Sequence, residues 1–270
     1  MTLLKIENLT RNLLLHSGEN VPLLRHINLE TKLSETTALL QLSGSSTSVL
    51  LRILAGQLFP NCGKIVLNGT DITPGSRPDL KQKILYTVPS FPPGNENNPL
   101  TLSAYLGKRK ENSFFSLFSP KTGCDPLSLL PPSFYRSGKQ TLKTLQELLP
   151  YQHILLSFLP SVSENPALLL IDTLPALSPD ETNGQAIGEL AGITNKKNIP
   201  LLFNTRSPQL AFHLAGQILI FRDEHLLRTI DNTDPDPALL QELLQLQKEA
   251  AEYLPLHSFS LHSLLEQQYL

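Results

Sequence analysis

Eight residues, Gln41-Leu-Ser-Gly-Ser-Ser-Thr-Ser48, lead into Val49-Leu-Leu-Arg-Ile-Leu-Ala-Gly56. They have the length and setting of a phosphate-binding loop without its chemistry. Such a loop reads G-x-x-x-x-G-K-[ST]: glycines let backbone N–H groups curl around phosphates, the Lys neutralises them, and the hydroxyl faces Mg²⁺. On that template Gln41 stands for the first Gly, Ser46 for the last and Thr47 for the Lys, while Ser48 keeps the hydroxyl. The candidate phosphate contacts are Gly44, Ser45, Ser46, Thr47 and Ser48. Gly44 has a second reading, as the residue that allows a tight strand-to-helix turn.

The loop needs a strand before it and a helix after it, and the chain supplies both. Thr37-Ala-Leu-Leu-Gln-Leu42 reads as a buried strand, and Val49, Leu50, Ile53 and Leu54 share one helical face. Leu3 to Leu9 and Leu23 to Leu29 alternate like half-buried strands. Lys64-Ile-Val-Leu67 is another, ending on Asn68-Gly69, a strong hairpin signal. Ile84 to Val88, Ala167 to Asp172, Pro200 to Thr205 and Gln217 to Arg222 are short apolar runs of buried-strand type. Alternation of strands with helical patterns predicts an α/β fold with a parallel or mixed sheet. Thr141 to Leu149 reads as an amphipathic helix, and residues 91–137 as a loop-rich helical insertion carrying Phe114, Phe115, Phe118, Phe134 and Tyr135. Asp234-Pro-Asp-Pro237 marks a boundary, with Asp236 as N-cap and Pro237 at the first helical position. Leu239, Leu240, Leu243, Leu244, Ala250, Ala251 and Leu254 then form one apolar face. Pro255 ends that helix, and Leu261, Leu264 and Leu265 suggest a shorter one. The domain expectation is 1–232, with the insertion at about 91–160, followed by a C-terminal helical appendage over 233–270.

The composition excludes several classes. Among 270 residues, 40% are hydrophobic and 17% charged, enough for a substantial core. A formal net charge of -2, with Lys108-Arg109-Lys110 as the nearest thing to a basic run, argues against a nucleic-acid role. Cys62 and Cys124 have neither metal-ligand nor disulfide spacing and read as reduced thiols of a cytoplasmic protein. No apolar run approaches the roughly 18 residues that a bilayer span needs, and the N-terminus lacks a signal-peptide pattern. Membrane contact is therefore expected to be peripheral.

Over about residues 3–230 the order of elements resembles the nucleotide-binding subunit of ABC transporters. The resemblance rests on Leu4-Lys-Ile-Glu-Asn-Leu-Thr10, Arg25-His-Ile-Asn-Leu-Glu30, Leu51-Arg-Ile-Leu-Ala-Gly56 and Gly63-Lys-Ile-Val-Leu-Asn-Gly-Thr-Asp-Ile72. It implies a P-loop NTPase-like ABC ATPase fold: an N-terminal antiparallel β subdomain, a parallel core sheet, a helical insertion and C-terminal helices. It also implies a set of functional positions, most of which are altered here. The aromatic that would stack on adenine falls at Leu13 or Leu14. The Gln after a Val-Pro strand is Ser90, behind Val88-Pro89. The Leu-Ser-Gly-Gly-Gln signature, counted back from Asn165-Pro166, falls at Leu148-Leu-Pro-Tyr-Gln152, where only Leu148 and Gln152 match.

The strand Leu168-Leu-Leu-Ile-Asp172 resembles Walker B and keeps Asp172, which with Ser48 would hold Mg²⁺ if a nucleotide were bound. The Glu that polarises water is replaced by Thr173, whose hydroxyl titrates far above neutrality and cannot act as that base. The switch His is replaced by Arg206, which cannot exchange a proton near neutral pH. The Asp of the following loop is Ser178, or Pro179 without a gap. One good donor to a charged transition state is worth about 3 kcal/mol, near a hundredfold in rate. Losing the Lys, Glu, His and Gln together predicts no useful turnover.

The degenerate positions Thr47, Ser90, Thr173 and Arg206 thus predict a pseudo-ATPase with no intact catalytic residue. Bland readings stand beside each feature: Asp172 ends a strand, Ser48 caps a helix, Arg206 is a surface or paired cation, His153 and His213 are structural, and the C-terminal leucines pack within the chain. The favoured function is a non-hydrolysing structural or regulatory subunit of an ABC-type complex. It would dock on a membrane permease at the cytoplasmic face, beside an active ATPase subunit or a second copy. No cofactor is expected. The rivals are a nucleotide sensor that binds Mg-ATP weakly without turnover, and a divergent ATPase that recruits Glu181 or a group from a partner chain.

Overall fold

The computed structural model describes residues 2–15, 18–33, 36–75, 84–89, 124–135, 144–174 and 180–252. Two sheets organise the chain. The first is antiparallel, in the order β2-β1-β4-β5, from β1 (Thr2–Leu14), β2 (Asn20–Leu33), β4 (Cys62–Leu67) and β5 (Thr70–Asp71). The second has six strands in the order β10-β9-β3-β8-β7-β6. Its members are β3 (Thr36–Gln41), β6 (Ile84–Thr87), β7 (Leu168–Ile171), β8 (Leu201–Thr205), β9 (Gln217–Arg222) and β10 (His225–Asp231). Pairing is parallel from β9 through β6, and only β10 runs antiparallel to its neighbour.

The period of two within each strand splits the core across this second sheet. Leu39, Leu168, Leu170, Leu202, Leu219 and Phe221 face the antiparallel sheet and helix α1 (Ser46–Leu54), whose Val49, Leu50, Ile53 and Leu54 are buried against them. Ala38, Leu40, Leu169, Ile171, Leu201, Phe203, Ile218 and Ile220 face the other way. That side is covered by α2 (Pro150–Ser163), α3 (Asp180–Lys196), α4 (Pro208–Leu214) and α5 (Pro237–Glu252). A parallel strand buried on both faces reads as an unbroken apolar run, which is why β7 and β8 are nearly all Leu, Ile and Phe.

Local chemistry sets the turns. Asn68 and Gly69, at φ 50° and 78°, make the tight β4–β5 hairpin. At Gly63, φ is 102° and a Cβ would lie 2.6 Å from the Asn8 carbonyl oxygen, so only glycine allows β4 to approach β1 there. The Asp236 carboxylate accepts from the Ala238 amide at 2.9 Å, and Pro237 opens α5.

Three sequence expectations need correction. Residues 144–149 are not the end of a helix: Leu145–Glu147 is one 3₁₀ turn flanked by extended Thr144 and Leu148, while 141–143 lie outside the described residues. The helix starts at Pro150 instead, because proline suits a first helical turn and Gln152 caps it by accepting from the Leu149 amide at 2.9 Å. Ser48 caps nothing; it sits inside α1, whose N-cap position is Ser45. On α5, Leu239, Leu240, Leu243, Leu246 and Ala250 turn inward, but Leu244 and Ala251 are exposed, because each lies about 100° around the helix from Leu243 or Ala250 and so falls at the edge of the apolar stripe. The second C-terminal helix, Pro255 and residues 91–123 lie outside the described residues.

Candidate functional site

Ligand sites of parallel sheets form at the carboxyl ends of the strands. Here four neighbouring strands deliver one polar side chain each: Gln41 ends β3, Tyr86 lies near the end of β6, Asp172 follows β7, and Asn204 sits in β8 opposite Leu39. All but Tyr86 are fully buried. Buried polar groups must bond to one another, and these do.

Asp172 is the hub. Its Oδ1 accepts from the Ser48 hydroxyl at 2.8 Å and from Asn204 Nδ2 at 2.7 Å, and its Oδ2 accepts from the Tyr86 hydroxyl at 2.8 Å. Burial, then the adjacent Asp172 carboxylate, pushes the Tyr86 phenol well above its usual range, so it remains a neutral donor to that carboxylate. Asn204 Nδ2 also lies 3.1 Å from Ser48 Oγ. Its Oδ1 accepts from the Thr173 amide at 2.7 Å, and its backbone carbonyl accepts from the Thr173 hydroxyl at 2.5 Å. Thr173, at the position of the water-polarising Glu, therefore spends its hydroxyl on a backbone oxygen.

The loop between β3 and α1 is bonded from within. Gln41 Oε1 accepts from the Thr47 amide at 2.9 Å and from the Ser46 hydroxyl at 3.0 Å, while its Nε2 donates to the Ser43 carbonyl. Ser43 Oγ donates to the Asp223 carboxylate at 2.8 Å, tying the loop to the β9–β10 hairpin. Gly44 has φ 78°, and a Cβ there would sit 3.0 Å from Asp223 Cα, so this glycine serves a turn and a close approach to protein backbone. Arg206 is exposed; its Nη2 donates to the Gly44 carbonyl at 3.1 Å, and its own carbonyl accepts from Gln247 Nε2 of α5 at 2.7 Å.

The structure thus brings Gly44, Ser45, Ser46, Thr47, Ser48, Asp172, Thr173 and Arg206 to one end of the sheet. Ser90, Ser178 and Pro179 lie outside the described residues, as does the Glu181 side chain. Leu13 is buried in the core and Leu14 is 65% exposed, so the place of the adenine-stacking aromatic holds no ring from either. At the position counted for the signature, Gln152 is buried and donates to the Ser133 carbonyl at 3.0 Å, a structural role. Tyr86, Asn204, Asp223 and Gln247 are bonded into this candidate site, and motif matching passes over them. The signal for Asn204 was present: one amide in the middle of an apolar strand needs a buried partner.

A Mg-nucleotide fits these residues poorly. Ser46 carries a Cβ where the loop template has glycine, Thr47 offers no positive charge, and Ser48 and Asp172 are bonded to each other and to Asn204.

Comparison with known proteins agrees with the architecture. Residues 24–102 match the family model described as ABC transporter. The phosphonates import ATP-binding protein PhnC 1 of Ruegeria sp. (strain TM1040) is 24% identical over 243 residues, covering 86% of this chain and 93% of that protein. The taurine import ATP-binding protein TauB of Roseobacter denitrificans is 36% identical over a shorter stretch of 86 residues, 32% of this chain and 31% of that protein. Among solved structures, a nucleotide-free ATP-binding cassette from an ABC transporter superposes with TM-score 0.66 at 16% identity, covering 94% of this chain and 100% of that one. CbiO1 from Clostridium perfringens, part of the ABC transporter complex cbiONQ, gives 0.64 at 17% identity over 93% of this chain and 95% of that one.

The fold is that of an ABC transporter ATP-binding cassette. In sequence the chain is similar to ABC transporter ATP-binding proteins.

Proposed function

We propose that this chain is a non-hydrolysing ABC-type nucleotide-binding domain, a structural or regulatory subunit of an ABC-transporter-like membrane complex. The observation that carries the reading is the closed network around Asp172: the carboxylate that would hold Mg²⁺ is bonded to Ser48, Asn204 and Tyr86. Thr173 beside it has its only hydroxyl turned to a backbone oxygen. Polar groups already satisfied inside the protein gain little from a metal or phosphate that must first break them apart.

The partners in this reading are an ABC-type permease subunit and an active ATPase subunit or a second copy. Among the described residues no helix is long and apolar enough to cross a membrane, and attachment at the inner face of the cell membrane would run through the permease.

Purified chain should hydrolyse Mg-ATP no faster than background, and Thr173→Ala should leave that rate unchanged. Turnover that Thr173→Ala abolishes overturns the reading in favour of a divergent ATPase. Calorimetry with Mg-ATP separates scaffold from sensor: a micromolar dissociation constant, about −8 kcal/mol, would make the chain a sensor.

A further inference from the structure

The residue in place of the loop's first glycine is also the most heavily bonded side chain within it. Gln41 is fully buried at the end of β3. Its carboxamide oxygen gathers the Thr47 amide at 2.9 Å and the Ser46 hydroxyl at 3.0 Å, and its nitrogen donates to the Ser43 carbonyl, with the Asp223 carbonyl at 3.5 Å. One amide therefore spans both limbs of the loop, the segment leaving β3 and the first turn of α1. The donors it gathers are of the kind that serve an anion in a working loop, where backbone N–H groups at the start of the helix point into the concavity.

We infer that Gln41 is an internal surrogate for a phosphate oxygen: its carboxamide fills the anion cradle, holds the loop in shape without nucleotide, and keeps a nucleotide phosphate out. The inference rests on the non-hydrolysing reading and deepens it, by naming what occupies the site. An intramolecular group binds without losing translational freedom, so it competes at a high effective concentration. A phosphate could enter only by displacing the carboxamide, leaving a buried amide without partners. A neutral occupant also removes the need for the lysine, since there is no anionic charge to offset at Thr47. Arg206, donating to the Gly44 carbonyl from outside, closes the same loop with a cation that faces protein.

The surrogate predicts that restoring the loop's glycine and lysine is insufficient while Gln41 remains. Full-length Ser46→Gly/Thr47→Lys and Gln41→Gly/Ser46→Gly/Thr47→Lys chains are titrated with inorganic pyrophosphate and with Mg-ATP by calorimetry. The triple variant should bind both at least tenfold more tightly than the double. Equal affinity, or binding by neither, overturns the inference.

Amide hydrogen exchange gives a second readout that does not depend on the triple variant folding. In nucleotide-free wild type the Thr47 amide should be protected. Gln41→Met, similar in length but without the carboxamide, should lower that protection at least tenfold and leave β8 amides unchanged. Protection that is absent in wild type, or unaltered in Gln41→Met, equally overturns it. The two readings fail differently. Wild-type turnover of Mg-ATP sinks the non-hydrolysing function itself, whereas an inactive wild type with equal affinities in the two loop variants sinks only the surrogate.

Discussion

Asn204 gives the buried Asp172 carboxylate a neutral donor from within the protein. Its Nδ2 lies 2.7 Å from the carboxylate, and its Oδ1 takes the Thr173 amide at 2.7 Å, so one side chain satisfies two buried groups of opposite sense. Removing it leaves a buried carboxylate short of a donor and a buried N–H without an acceptor. Asn204→Ala should therefore cost on the order of 3 kcal/mol in stability, measured by urea unfolding. A loss below about 0.5 kcal/mol, the level of an ordinary surface change, would mean that water replaces the amide. Asn204→Asp sharpens the test, because it sets two carboxylates face to face and one must take up a proton. That variant should lose stability as pH rises, and more steeply than Asn204→Ala, where one carboxylate only is short of a donor.

At the scale of elements, legibility in the sequence followed burial. β3, β7, β8 and β9 were readable as apolar runs because strands covered on both faces have no polar side to confuse the pattern. The Asn68-Gly69 hairpin and the Asp236-Pro237 helix start were readable because turn and cap chemistry is local. Helix α2 was hidden although it is buried just as deeply, because a helix is recognised by its one-sided stripe. It is apolar nearly all round, with Ile154, Leu155, Leu156, Phe158, Leu159 and Val162 all buried, so it shows no clean stripe, and Pro160 interrupts the pattern further. The site was legible as a list of altered positions, while the bonding of Gln41, Asn204 and Tyr86 required the third dimension.

Helix α2 also carries a pH lever. Burial lowers the pKa of His153 below its usual value, although the Leu148 backbone opposes the shift. The unfolded chain takes the proton first as pH falls below about 6.5, so the stability from neutral His153 is present above that value and lost on acidification through the window beneath it. His153→Gln should flatten the decline in melting temperature between neutral pH and about pH 5.5. An identical slope in the variant would show that other groups govern it.

For the whole molecule the question is whether α5 belongs to the body or serves as an appendage for partners. Its ion pair, Arg228 to Glu242 at 2.7 Å, is exposed on both sides and contributes little. Its apolar side has different standing. Leu243 and Ala250 are buried in the same core as β9 and α4, with Leu239, Leu240 and Leu246 packed against them. Gln247 fastens the helix to the Arg206 carbonyl, and Arg206 reaches the loop at Gly44. A chain ending at Asp234 would uncover that face, so it should lose its cooperative unfolding transition or aggregate. Leu243→Ala, which removes one fully buried side chain, should cost about 3 kcal/mol while leaving the oligomeric state unchanged. Circular dichroism on melting and sedimentation velocity separate the outcomes. A truncated chain that melts like the full one but sediments as a smaller species would make α5 an assembly surface, and the packing argument would fail. Unchanged melting and unchanged sedimentation would remove α5 from both roles.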